Sequence, residues 1–156
     1  VALVAALDAD PPAHVAVELV LTGAAQPGEL GMRAYVGRRR RAARPRELAV
    51  LALGACPPGV LHHHRTEGAL LPARLHPGLI ALARQTGTPG IRRGRSAALV
   101  ARRAGWPALG LSRSAEGERP GATTGSAQRP PSIGPQPSAE IVAHCIELVR
   151  ALDRQI

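Results

Sequence analysis

From His14 to Thr22 (HVAVELVLT) apolar residues run with almost no polar break, many of them β-branched, between a Pro and a Gly. That pattern predicts a strand buried on both faces. Glu47 to Leu53 (ELAVLAL) predicts a second buried strand, and Gly59 to Arg65 a third. Ahead of these, the apolar, Ala-rich Val1 to Leu7 stops at Asp8-Ala9-Asp10-Pro11-Pro12, as the last turns of a helix stop at a breaker.

Helical spacing alternates with these runs. Gly28 to Ala43 carries Leu30, Ala34 and Val36 and ends in Arg38 to Arg41, with Pro45 closing it. Leu71 to Gln85 places Leu75, Leu79 and Leu82 on one helical face, although Pro77 and Gly78 weaken its first half. Ser96 to Ala104 predicts a short helix and Pro107 to Leu111 a short strand. From Ser112 to Pro137 the chain turns to Gly, Pro, Ser, Thr and Arg, which predicts a long loop. Beyond it Ser138 offers an N-cap, Glu140 suits a first turn, and Ile141, Cys145, Leu148 and Leu152 share a face. Strands alternating with helices over 156 residues predict one α/β domain spanning residues 1 to 156.

Composition changes the picture in two ways. Apolar residues make up 45% of the chain, yet it holds one Tyr, one Trp and no Phe, so its core is aliphatic and small-residued. The formal charge is +9 and every basic residue is Arg, which, with abundant Ala, Gly and Pro, is the mark of a GC-rich gene and weakens charge as an argument for a nucleic-acid partner. Cys56 and Cys145 belong to no CxxC pair and define neither a disulfide framework nor a thiolate metal site. No apolar run reaches the roughly 20 residues of a membrane-spanning helix.

The segment Val17 to Tyr35, VELVLTGAAQPGELGMRAY, resembles the di-zinc aminopeptidases of metallopeptidase family twenty-eight, relatives of the glutaminyl cyclases. In that family a buried strand leads into Ala-Glu-Glu-x-Gly-Leu-x-Gly-Ser and a helix with a Tyr. Gly28, Gly31 and Tyr35 keep this frame, while Ala25 stands at the general base and Gln26 at the second Glu. AVLALGAC, residues 49 to 56, is similar to the family's Val-Ile-Asn-Leu-Asp-Met, with Gly54 at the Asp. RSAALVARRAGWPALGL, residues 95 to 111, resembles Ser-Asp-His-x-x-Phe followed by Gly-x-Pro-Ala; Ser96, Gly105, Pro107 and Ala108 match, and Ala97, Ala98 and Ala101 replace Asp, His and Phe. The resemblance places the metal-bridging Asp and the His-x-Asp motif before Val1, and a His-Thr ligand segment near Thr124 to Ile133, which holds no His.

The resemblance implies a three-layer α/β/α sandwich with a mixed, mostly parallel central sheet. It also implies that the chemistry is gone. A co-catalytic zinc pair needs His and carboxylate ligands to offset its charge and activate a bridging water, and Ala and Gly offer no donor. Loss of the general base alone costs about 10²- to 10⁴-fold. The expected function is a zinc-aminopeptidase-like domain, catalytically inactive and without its own cofactor, acting as a binding or scaffold module for a peptide or protein partner. One alternative is residual metallo-aminopeptidase activity within a longer chain. The other is a basic module in which Arg38, Arg39, Arg40 and Arg41 bind anions or nucleic acid; its bland counterpart is a solvated helix end whose cations complement the dipole.

Other signals are weaker. His62 and His64 share a strand face and could ligate a metal, with Cys56 and His76 at a distance, but no flanking Asp or Glu is evident to complete the set. No GxxxxGK[ST] loop exists, and Gly110-Leu111-Ser112-Arg113-Ser114 lacks the second Gly of a nucleophile elbow. His14 and His144 read as structural residues and Trp106 as a packing residue.

Overall fold

A computed structural model describes residues 2–23, 28–41, 44, 47–54, 59–68, 70–85, 88–92, 96–114 and 135–155, with side chains of the last segment from 139 onward. The fold is α/β. Backbone contacts group the chain into two compact units, Val1–Leu21 with Pro130–Ile156, and Thr22–Arg129.

In the first unit α1 (Ala2–Ala9) packs on α5 (Pro135–Asp153). Ile141, Cys145 and Leu148 are buried, as their spacing predicts, Leu152 of the same face is only partly buried, and Leu7 on α1 is buried too. The helix begins at Pro135, so the loop expected to reach Pro137 ends earlier and Ser138 lies inside the helix rather than capping it. The Asp153 carboxylate accepts the backbone N–H groups of Ala13, His14 and Val15 at 3.0, 2.6 and 3.0 Å. These bonds hold its carboxyl below the ordinary Asp range. Arg150 pairs with Asp10. The strand expected over His14 to Thr22 does not form. That run is irregular, and Val17, Leu19 and Leu21 are 47%, 46% and 88% exposed. A strand needs a neighbour for its backbone groups, and the first of these N–H groups bond to a side chain instead.

The second unit is built on a mixed sheet of β1 (Val50–Leu53), β2 (Val60–Glu67), β3 (Ala73–Arg74), β4 (Thr88–Arg92) and β5 (Ala108–Ser114). β1 runs parallel to β5, β5 antiparallel to β2, and β2 parallel to β4 and antiparallel to β3. The pairings are therefore two parallel and two antiparallel, where a mostly parallel sheet was expected. His62 pairs with both Thr88 and Ser112, and Thr66 with both Ile91 and Arg74. A strand has only two edges, so β4 takes one edge of β2 while β5 and β3 share the other. β1 is less enclosed than its sequence predicts: Ala52 is buried, whereas Leu53 is 46% exposed.

Three helices flank these strands: α2 (Leu30–Arg39) packs on α4 (Ala97–Arg103), which packs on β1 and β5, and α3 (Pro77–Ala83) packs on β2 and β5. The helix expected over Leu71 to Gln85 begins only at Pro77, its first residue. Proline suits that position because its missing N–H would be unpaired there anyway. Residues 73 and 74 pair with β2 instead. β4, with its Thr, Pro and Gly, carries no apolar alternation and was not expected.

α4 is bounded at both ends by legible signals. Ser96 caps it, its hydroxyl accepting the Leu99 N–H at 3.2 Å. At the other end Gly105 takes φ +89°, and the N–H groups of Trp106 and Gly105 bond to Ala101 and Arg102 carbonyls at 3.1 and 3.0 Å. This Schellman turn brings Trp106 into the core at 1% exposure, edge-on to Tyr35 with ring centroids 6.4 Å apart.

Candidate functional site

Strand alternation puts His62 and His64 of β2 on the same sheet face as Gly110, Ser112 and Ser114 of β5. Glu67, three residues after His64, belongs on the opposite face of a regular strand. The β2–β4 register slips between His64 and Thr66, leaving Arg65 as an extra residue, and this bulge returns Glu67 to the His64 side.

The result is a buried hydrogen-bonded chain. Glu67 Oε1 lies 2.7 Å from His64 Nδ1, His64 Nε2 lies 2.8 Å from Ser112 Oγ, and the Ser96 hydroxyl donates to Glu67 Oε2. Both ring nitrogens of His64 are thus engaged, and its tautomer sets which of them donates. Ser96 thus both caps α4 and ties it to the sheet. Alongside, Ser114 Oγ lies 2.9 Å from His62 Nε2. Burial, and then the neighbouring His64, push the His62 pKa down. Gly110 makes room for the pair: a Cβ there would stand 2.1 Å from Glu67 Oε1.

Ser112, His64 and Glu67 follow the order of a nucleophile–base–acid relay. Ser112, however, is only 5% exposed and sits within a paired strand, not on a turn at its end. Both nitrogens of His64 and both oxygens of Glu67 are engaged inside the protein. The arrangement ties β2, β5 and α4 together, and the donors that could have served a metal at His64 hold Glu67 and Ser112 instead. Among the described residues no group of three or more His, Cys, Asp or Glu is placed to hold a metal ion.

Gly54, at the carboxyl end of β1, borders this network. Its N–H donates to Leu111 O at 2.7 Å, and the point where a Cβ would stand is 2.7 Å from Arg92 Nη1 and 3.5 Å from Ser112 Cβ. Glu29 completes the surroundings. It holds the left-handed conformation (φ 61°, ψ 44°) at the head of α2 and is buried at 8% exposure. Burial pushes its carboxyl above the ordinary Glu range, Arg92 pulls the other way, and Glu67 adds to the rise. A strained backbone and a perturbed, buried acid together mark sites where structure is bent to a purpose.

Of the positions singled out in the sequence, Gly54 and Ala97 lie at the two ends of this network, Ala97 directly after Ser96. Ala98 is fully buried in the first turn of α4. Ala25, Gln26 and Cys56 lie outside the described residues, as do residues 124 to 133. Arg38 and Arg39 end α2, Arg40 is its C-cap, and Arg41 follows; all four are exposed. His14 is exposed, and His144 is buried on α5 with its pKa lowered by burial against an opposing pull from Glu147. The roles of Glu29, Glu67, Arg92, Ser96 and Ser112 were not anticipated. One trace of the network in the sequence is Gly110, a glycine inside the apolar run Pro107 to Leu111.

Comparisons with family models, with curated proteins and with solved structures found no match to this chain. No helix among the described residues is long and apolar enough to cross a membrane.

Proposed function

We propose that this chain is a zinc-aminopeptidase-like domain of three-layer α/β/α type that has lost its metal chemistry and acts as a non-catalytic binding or scaffold module. The observation that carries the reading is the surroundings of Gly54. The family's ligand carboxylate would project from this position, at the carboxyl end of a strand where sites in α/β sheets lie. Instead, the Arg92 guanidinium stands beside a residue with no side chain. A fixed cation there repels a divalent ion rather than binding it. Ala97 and Ala98 supply no donors, and His64, which is bonded to Ser112, is engaged at both nitrogens. These residues do not fit a zinc pair.

Hydrolysis of aminoacyl-nitroanilides by the purified chain, with and without added zinc, tests the reading. No turnover above background in either condition is expected. Zinc-dependent turnover that survives repurification would overturn it.

A second reading, a basic module for anions or nucleic acid, draws support from the four consecutive exposed arginines at the end of α2. It predicts nucleic-acid binding that weakens steeply with salt and is lost when Arg38, Arg39, Arg40 and Arg41 are all changed to Gln. No binding at low salt would remove it.

A further inference from the structure

Away from the buried network, a cleft of about 180 Å³ opens beside α3, lined by Arg65, Arg74, Pro77, Ile80, Ala81 and Arg84. We propose that this cleft is a binding site for a phosphate monoester carrying a small apolar group, with Arg65, Arg74 and Arg84 holding the phosphate and α3 receiving the apolar part.

Three features of the chain build the cleft. Pro77, Ile80, Ala81 and Arg84 recur at the spacing of one helical face. Arg65 is the extra residue of the β2 bulge, and bulges re-aim side chains relative to the regular pleat. Its carbonyl accepts the Leu75 N–H at 3.0 Å, and Arg74 pairs with Thr66, so the bulge and β3 deliver two arginines to the same rim.

The charge pattern points to an anion. Arginine supplies 20 of 156 residues in the chain but three of the six around this cleft, so coding bias alone does not account for the cluster. No ion pair to a carboxylate is formed by Arg65, Arg74 or Arg84 among the described residues. Converging like charges repel, and a doubly charged oxyanion both relieves that repulsion and matches the planar fork of each guanidinium.

Ile80 is buried at 6% exposure and gives the cleft an apolar floor, which an inorganic ion would leave unused. The volume is below that of pockets that enclose drug-sized ligands, so a single ring or short chain fits the size better than a nucleotide. The inference stands on this cleft alone and holds whether or not the domain is related to aminopeptidases.

Isothermal titration of the full chain with phenyl phosphate, inorganic phosphate and phenol tests it. Phenyl phosphate should bind most tightly of the three. The double variant Arg74→Gln, Arg84→Gln should weaken it by about tenfold or more, since charge-assisted bonds are the strong ones. Ile80→Ser should erase the advantage over inorganic phosphate. The quadruple Gln variant of Arg38 to Arg41 should bind as the parent does. A phosphotyrosine peptide added as a fourth ligand separates the two sources of this chemistry: tighter binding than phenyl phosphate assigns the site to phosphorylated protein, weaker binding to a small metabolite. The proposal is overturned if phenyl phosphate binds no better than phenol, or if its binding survives the double variant and is lost in the quadruple one. The three arginines are exposed, so circular dichroism should confirm that the double variant folds.

Discussion

A Cβ on Gly110 would stand 2.1 Å from Glu67 Oε1 and 2.8 Å from His64 Nδ1. Neither neighbour is the free end of a flexible side chain, because each is bonded on both sides. Gly110→Ala should therefore break the buried pair and cost about 3 kcal/mol or more in urea unfolding, as removal of one partner of a buried pair does. In a Glu67→Ala background the same change should cost less, since the nearer clashing oxygen is gone and His64, released from it, has only to move aside; equal costs in both backgrounds would separate Gly110 from the network. The histidines give a pH dependence. The folded pKa values of His62 and His144 lie below 6.5, so the stability they contribute is present above about pH 6.5 and is lost as pH falls through their folded values. His144→Gln should flatten that acid limb. Glu29 has the opposite sign. Its folded pKa is raised, so the stability it contributes is full below about 4.5 and lost as pH rises through the folded value, and Glu29→Gln should stabilise the chain at neutral pH.

At the scale of elements, α4 depends on Ser96 for two things, a cap and a tie to Glu67. Ser96→Ala should cost about 2 kcal/mol, more than a cap alone, and Ser96→Thr should recover most of it. An Ala cost equal to that of an ordinary cap would mean the bond to Glu67 contributes nothing. Element types were legible where local signals acted alone: α4 between Ser96 and Gly105, α5 from its apolar face, and β2 from its β-branched start and its Gly and Pro flanks. They were misleading where pairing decides. His14 to Thr22 is as apolar as any strand in the chain, yet forms no strand, because a strand is made by its neighbour as much as by its own residues. Glu67 was hidden for a related reason. Simple alternation sends it to the wrong face, and the bulge at Arg65 that corrects this is a property of the β2–β4 register.

Over the whole molecule, Gly54 and Ser96, two positions the sequence singles out, border one buried place, and those two positions were legible. What fills it was not: an arginine from the unanticipated β4 and a bonded Ser112–His64–Glu67–Ser96 chain. Ser112 itself is not presented as a nucleophile, because it is buried within a paired strand. A fluorophosphonate probe should leave the folded chain unlabelled, and labelling abolished by Ser112→Ala would contradict this.

The proposed loss of metal chemistry is tested most directly by counting zinc. Isothermal titration of the chain with zinc, followed by elemental analysis after desalting, should give no saturable heat and no retained metal. Retention of close to two zinc ions per chain, abolished by His64→Gln or Glu67→Gln, would contradict the account and make the buried network a metal centre.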